Sequence, residues 1–234
     1  MYYQLFNDNK EYKFNNINHL DTLNKSNIKI LNFYNNRLTY LPQLPCNLKE
    51  LYCNCNNNQL TQLPQLPDSL INLFCYNNKL TQLPKLSNCL KLLICSHNQL
   101  TQLTQLPTNL IYLSFSYNKL IYLPELPENL EYLICNNNEL TQLPELPITL
   151  KLLYCQDNQL TQLPKLPSNL KFIKFYNNNN NKNLIKYIIH CKLLYYYKKY
   201  DKYRYINTLN DLLNYTIKNY YYLEIIKYYD KTNY

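Results

Sequence analysis

Residues 28 to 180 repeat one pattern about every twenty residues, and this repetition constrains the fold more than any other feature of the sequence. Leu70 to Cys89, for example, reads LINLFCYNNKLTQLPKLSNC, and the next twenty residues read LKLLICSHNQLTQLTQLPTN. The shared template is L-x-x-L-x-(C/F)-x-x-N-x-L-(T/I)-x-L-P-x-L-P-x-x. A unit of this length cannot bury its apolar side alone, so successive units stack on one another. The sequence therefore predicts a solenoid of about eight repeats, of which the last, beginning at Leu170, is partial.

Each repeat contains two apolar positions that are two residues apart. Alternate side chains of a strand point to the same face, so this spacing predicts a short strand with both side chains in the core. Equivalent strands from successive repeats are expected to pair in parallel. Because Cys and Phe share the second position, its cysteines are predicted to be small packed residues and not zinc ligands. The two columns are Leu31, Leu51, Leu73, Leu93, Leu113, Leu133, Leu153 and Ile173, followed by Phe33, Cys53, Cys75, Cys95, Phe115, Cys135, Cys155 and Phe175.

The second half of each repeat is rich in proline, since all twelve prolines of the chain lie in the repeats, mostly as L-P-x-L-P. Two prolines three residues apart disfavour a helix and favour an extended or polyproline-II path. The asparagine at the ninth position, such as Asn78, is predicted to bond backbone groups of neighbouring turns. The chain has no glycine, so positions that need a positive φ are expected to be asparagine.

The motif L-x-x-L-x-C-x-x-N-x-L is that of a leucine-rich repeat, and its L-P-x-L-P continuation resembles the repeats of bacterial type III secreted effectors of the YopM and IpaH kind. The resemblance covers about residues 28–180 and implies a solenoid of the α/β class, mainly β. Short parallel strands would line its concave side and extended or polyproline-II segments its convex side. Some effectors of this class are ubiquitin ligases with a catalytic Cys in a C-x-D context. Here Cys191 is followed by Lys192 and Leu193, so the catalytic residue does not carry over and the chain is predicted not to be an enzyme.

The segments on either side of the repeats do not match the template. Residues 1–27 carry no net charge and are predicted to form an N-terminal cap. Residues 181–234 contain fourteen Tyr, carry a net charge of +6 and show helical spacing, which predicts helices at about 183–200 and 208–229. This basic segment either caps the solenoid or, as an alternative function, binds nucleic acid or an anionic membrane surface.

Composition limits the other possibilities. Gly, Ala, Val and Trp are absent, and the abundance of Asn, Tyr, Lys and Ile resembles a protein of a giant DNA virus or of another AT-rich microbe. No signal peptide and no apolar run long enough to cross a membrane can be recognised, so the nine cysteines are expected to be reduced in an intracellular compartment of the cell or viral host. The sequence suggests no cofactor, metal or small-molecule substrate, because it has neither a glycine-rich phosphate loop nor clustered histidines.

Side chains beside the inward leucines are expected to point out of the sheet and to form an apolar and aromatic stripe. An exposed stripe of this size is typical of a binding surface, and Tyr is favoured in such surfaces. The other explanation is that AT-rich codons place Tyr and Ile on many surfaces. We therefore predict a protein partner, which could come from a host, that contacts Tyr52, Phe74, Ile94, Tyr112, Tyr117, Tyr132, Ile134, Tyr154, Asp157 and Phe172.

Overall fold

A computed structural model describes residues 3–7, 10–14, 28–33, 38–54 and 59–179. The chain divides into two units, Met1–Asn179 and Asn180–Tyr234. The second unit lies outside the described residues, and so do the two helices predicted in it.

The repeats form a ladder of parallel strands in which every strand is three residues long. Neighbouring strands pair residue for residue, so Leu93 of one lies beside Leu113 of the next. The register is kept across the 22-residue second repeat, because Leu51 pairs with Leu73. The strands are β3 (Ile30–Asn32), β4 (Glu50–Tyr52), β5 (Asn72–Phe74), β6 (Leu92–Ile94), β7 (Tyr112–Ser114), β8 (Tyr132–Ile134), β9 (Leu152–Tyr154) and β10 (Phe172–Lys174).

Two more strands extend the sheet at its N-terminal end. β1 (Tyr3–Asn7) and β2 (Lys10–Phe14) pair antiparallel, and β1 also pairs antiparallel with β3. Strand β2 thus forms the edge of the ten-stranded sheet. The role of residues 1–27 as a cap stays a prediction.

The core lies on the side of the sheet to which the middle residue of each strand points. The middle leucines of β3 to β9 are completely buried, and so are the Cys or Phe residues two positions further on. Leucines between the paired prolines close the core from the opposite side; Leu66, for example, is 5% exposed. The proline segments form neither helix nor strand, and no helix occurs anywhere in the described residues. The predicted solenoid, mainly β with an extended outer side, is confirmed.

Buried asparagines join each repeat to the one before it. The side chain of Asn118 donates from Nδ2 to the carbonyls of Cys95 (3.1 Å), Phe115 (2.9 Å) and Ser116 (3.3 Å), and its Oδ1 accepts from the Leu100 amide (2.9 Å). These groups lie where the chain turns away from the strand and the ladder cannot pair them. Equivalent bonds are made by Asn78, Asn98, Asn138, Asn158 and Asn178, as the sequence predicted.

The residue before each of these asparagines has a positive φ of 52° to 55°. The expectation that asparagine would hold all such positions is wrong in part, because three of the six have other side chains. The backbone there is held by hydrogen bonds between repeats, such as that from the Tyr117 amide to the Asn136 carbonyl at 3.0 Å. These bonds impose the conformation whatever the side chain. The six residues are Asn77, His97, Tyr117, Asn137, Asp157 and Asn177.

A second set of polar side chains joins the repeats just before the strands. Asn109, for example, donates to the carbonyl of Asn88 at 2.9 Å. In the preceding repeat the position of Asn109 is held by Cys89, whose thiol is only a weak donor. The equivalent hydrogen bond is made there by Ser87, which donates from Oγ to the carbonyl of Asp68 at 2.6 Å. Ser87 stands where most repeats have proline, so this substitution keeps a bond between repeats.

Candidate functional site

The side of the sheet opposite the core presents the first and third residues of every strand from β3 to β10, and we call it the sheet face. The leucine between them points into the core, so each flanking side chain is directed outward. The structure leaves the first and third residues partly exposed in most strands. Eight of the ten residues named from the sequence lie here, with Tyr112, Tyr132 and Phe172 as first residues and Tyr52, Phe74, Ile94, Ile134 and Tyr154 as third residues.

The N-terminal part of the sheet face contains a stacked aromatic pair. The rings of Tyr52 and Phe74 lie parallel, at 7°, with centroids 4.5 Å apart. The hydroxyl of Tyr52 donates to Oε2 of Glu50 at 2.7 Å. Burial, and secondarily the bond to the Glu50 carboxylate, raises the pKa of Tyr52 to about 12, so its hydroxyl keeps its proton even at alkaline pH.

The central part of the sheet face is built from two tyrosines and a serine. Tyr112 and Tyr132 meet at 30° with centroids 5.6 Å apart, and burial raises the pKa of Tyr112. The third residue of β7 is Ser114, which is only 7% exposed and shares a 2.8 Å hydrogen bond with the hydroxyl of Ser96. Ser114 therefore interrupts the apolar column between Ile94 and Ile134 with a buried polar group.

The other two residues named from the sequence lie three positions beyond their strands. Tyr117 is 48% exposed, and its ring stacks on that of His97 at 4.2 Å and 11°. Asp157 is partly buried, and its carboxylate accepts a 2.7 Å bond from Nδ2 of Asn177. The structure thus places both at the end of the strands, where positive φ turns the backbone out of the sheet.

A column of lysines that sequence reasoning missed borders the sheet face. The residue directly before the strand is lysine in five of the eight repeats, and we call this set the lysine column. One member, Lys151, forms a 2.6 Å ion pair with Glu131, and the hydrogen bond to this carboxylate raises the pKa of the Lys151 ammonium. The available signal was the recurrence of lysine at the second position of the template. The lysine column comprises Lys29, Lys49, Lys91, Lys151 and Lys171.

The C-terminal part of the sheet face combines an aromatic ring with a cation. The ammonium of Lys174 lies 4.7 Å from the centroid of the Tyr154 ring, within the range of a cation–π interaction. Phe172 in the same strand is 62% exposed. This end of the face therefore offers both apolar surface and positive charge.

One repeat also carries exposed apolar residues away from the sheet face. Ile121 and Tyr122, where most repeats have Thr and Gln, are 51% and 53% exposed. Tyr40 holds the equivalent position in the first repeat and is 56% exposed. These residues follow the asparagine column and so lie outside the sheet.

The geometry offers little for catalysis in the part of the chain that is described. Five cysteines are buried in the core, as predicted, and burial raises the pKa of the Cys95 thiol to about 12. Neutral buried thiols are poor nucleophiles and poor metal ligands. No group of three or more His, Cys, Asp or Glu side chains is gathered among the residues described. Over those same residues, no helix has the length and apolar character needed to cross a bilayer.

Solved structures supply the comparison for this fold. No protein-family profile and no curated protein matches the chain. YopM from Yersinia pestis, described as a leucine-rich effector protein, has a TM-score of 0.61 and 40% identity over 64% of this chain and 43% of YopM. YopM from Yersinia enterocolitica WA-314 has a TM-score of 0.56 and 35% identity over 60% of this chain and 36% of YopM. The leucine-rich repeat domain of a Shigella effector has a TM-score of 0.58 and 27% identity over 80% of both chains.

This chain spans less than half the length of the two YopM structures that it matches. The chain is a leucine-rich repeat solenoid of about 20-residue repeats whose structural neighbours are YopM and other bacterial effector leucine-rich repeat proteins.

Proposed function

We propose that this chain is a non-enzymatic module that binds a protein partner on the sheet face, in an intracellular compartment as the sequence suggested. The observation that carries the proposal is the row of partly exposed aromatic and aliphatic side chains held in register by the strand ladder. A polar surface would suffice for solubility, whereas exposed apolar and aromatic surface of this kind is characteristic of interaction sites.

The rigidity of the face supports the same proposal. Tyr132, Ile134 and Tyr154 project from strands whose backbones are fixed by pairing on both sides. Tyrosine side chains that are already ordered lose little conformational entropy on binding, and Tyr is enriched among residues that dominate interface energies. Likeness to proteins described as leucine-rich effectors agrees with a binding role, but their activities do not identify this chain's partner.

The test is to replace Tyr132, Ile134 and Tyr154 together with Ser. We expect the variant to fold but to lose the proteins that the wild-type chain captures from cells, measured by quantitative mass spectrometry. A matched control replaces Tyr40, Tyr122 and Ile121 with Ser, which changes two tyrosines and one isoleucine of similar or greater exposure outside the sheet. Retention of all captured proteins by the first variant, or equal loss in both, would contradict the proposal.

The alternative function depends on residues 181–234, whose net charge is +6. Binding to nucleic acid or anionic vesicles through this segment would weaken steeply with salt, because each phosphate contact releases counterions. It would also survive the triple Ser substitution, since none of the three side chains belongs to that segment. The same variant therefore separates the two functions.

A further inference from the structure

The lysine column creates an unbalanced positive field beside the apolar stripe. Lys29 and Lys49 precede neighbouring strands that pair in register, and Lys151 and Lys171 do the same at the other end. Like charges at equivalent positions of adjacent strands repel each other. Between Lys29 and Lys49 this repulsion lowers the stability of the free chain, whereas at the other end Glu131 partly neutralises Lys151.

The acidic side chains of the same surface are already engaged. Glu50 accepts a hydrogen bond from the hydroxyl of Tyr52, and Glu131 forms the ion pair with Lys151. Asp157 accepts a hydrogen bond from the side-chain amide of Asn177. In contrast, four lysines make no ion pair with any carboxylate of the described residues. They are Lys29, Lys49, Lys91 and Lys171.

Charge is also distributed unequally between this surface and the rest of the solenoid. The sheet face, the lysine column and the positive-φ column together hold six lysines and three acidic residues. The remaining described residues of the repeats hold four lysines and five acidic residues. The surplus of positive charge therefore lies on the surface that also presents the aromatic stripe, and not on the outer side.

The aromatic rings are arranged to suit side chains better than nucleobases. Bases stack on exposed ring faces, and three rings of this surface already have one face covered. Tyr52 and Phe74 cover one another, and the ammonium of Lys174 lies over the ring of Tyr154. Ile94 and Ile134 lie among these rings on the same face and offer aliphatic contact. Such a surface fits an apolar side chain flanked by carboxylates.

We propose that the partner of the sheet face is an acidic polypeptide segment, which places its carboxylates on the lysine column and apolar side chains on the stripe around Tyr112, Tyr132 and Ile134. This inference rests on the proposed function and adds the chemistry of the partner. Ordered binding of carboxylates would also relieve the repulsion within the lysine column, so complex formation would weaken as salt rises.

The test uses the full chain and a displayed library of random sixteen-residue peptides. We expect selected peptides to be rich in Asp and Glu with at least one aromatic or large aliphatic residue. Replacement of Lys49, Lys91 and Lys171 with Glu should weaken the binding of a selected peptide by about tenfold or more. The matched control reverses three exposed lysines outside the surface, Lys85→Glu, Lys119→Glu and Lys165→Glu, and should change the affinity by less than about twofold.

Each other outcome counts against the acidic segment. Selected peptides without an acidic preference that are lost in the Tyr132, Ile134 and Tyr154 to Ser variant would keep the proposed function and overturn its acidic partner. Acidic peptides that bind both charge-reversal variants equally would place their site outside the lysine column. A single-stranded RNA oligonucleotide whose binding depends on Lys49, Lys91 and Lys171 would show a nucleic-acid surface instead. Failure to select any peptide would exclude a linear segment as the partner.

Discussion

Replacement of Asn118 by Ala is the most direct probe of how the repeats are held together. Asn118 lies in the middle of the solenoid and is 9% exposed. Its side-chain NH2 group donates hydrogen bonds to the carbonyls of Cys95, Phe115 and Ser116. Its Oδ1 accepts a hydrogen bond from the backbone amide of Leu100. The substitution removes all of these bonds without changing the net charge.

The consequences differ among the groups that lose Asn118. The three carbonyls each keep a second donor, from Asn98, Asn138 and His97 respectively, so none of them is left unpaired. The Leu100 amide has no other acceptor in the described structure. Leaving that buried N–H unpaired costs about 1–3 kcal/mol, and loss of the two amide donors costs about 1 kcal/mol each. We therefore expect Asn118→Ala to reduce the free energy of unfolding by about 3–5 kcal/mol.

The measurement is a urea titration followed by circular dichroism, with Asn109→Ala as the control. Asn109 is exposed and makes one bond, to the carbonyl of Asn88, so water can replace its amide and the loss should be below about 1 kcal/mol. If both variants lost the same free energy, or if Asn118→Ala lost less than Asn109→Ala, the buried asparagine ladder would not be what couples the repeats.

Three further predictions test the core, the thiols and the backbone. Leu113→Ala, at a completely buried position, should cost about 2–5 kcal/mol in the same titration, whereas Tyr112→Ala should cost about 1 kcal/mol; equal losses would refute the inward and outward assignment. In native protein, iodoacetamide should modify the exposed Cys46 and Cys89 within minutes while the five buried thiols react only on unfolding, as peptide mass spectrometry would show; rapid labelling of any buried thiol would contradict this. Asn137 has a φ of 54°, so Asn137→Gly should be more stable than Asn137→Ala by about 1 kcal/mol, and equal melting temperatures would exclude a cost from positive φ.

The period and columns of the repeat were sufficient to predict the solenoid, its parallel strands and its core. The reason is that a strand alternates its side chains with a period of two, so Leu113 and Phe115 could face only the same side once one of them was buried. The asparagine column was equally predictable, because a buried amide at a fixed position must meet backbone groups that are not paired elsewhere. The outward stripe followed from the same alternation.

Other features depend on contacts between residues about twenty positions apart, which only the register of the strands brings together. The stacking of Tyr52 on Phe74, the replacement of Cys89 by Ser87 as a donor and the positive φ of Tyr117 are of this kind. Local preference argues against a tyrosine at positive φ, but hydrogen bonds from neighbouring repeats outweigh a local cost of about 1–2 kcal/mol. The lysine column belongs here as well. Its lysines are separated in sequence, and stacking of the repeats alone aligns them beside the aromatic stripe.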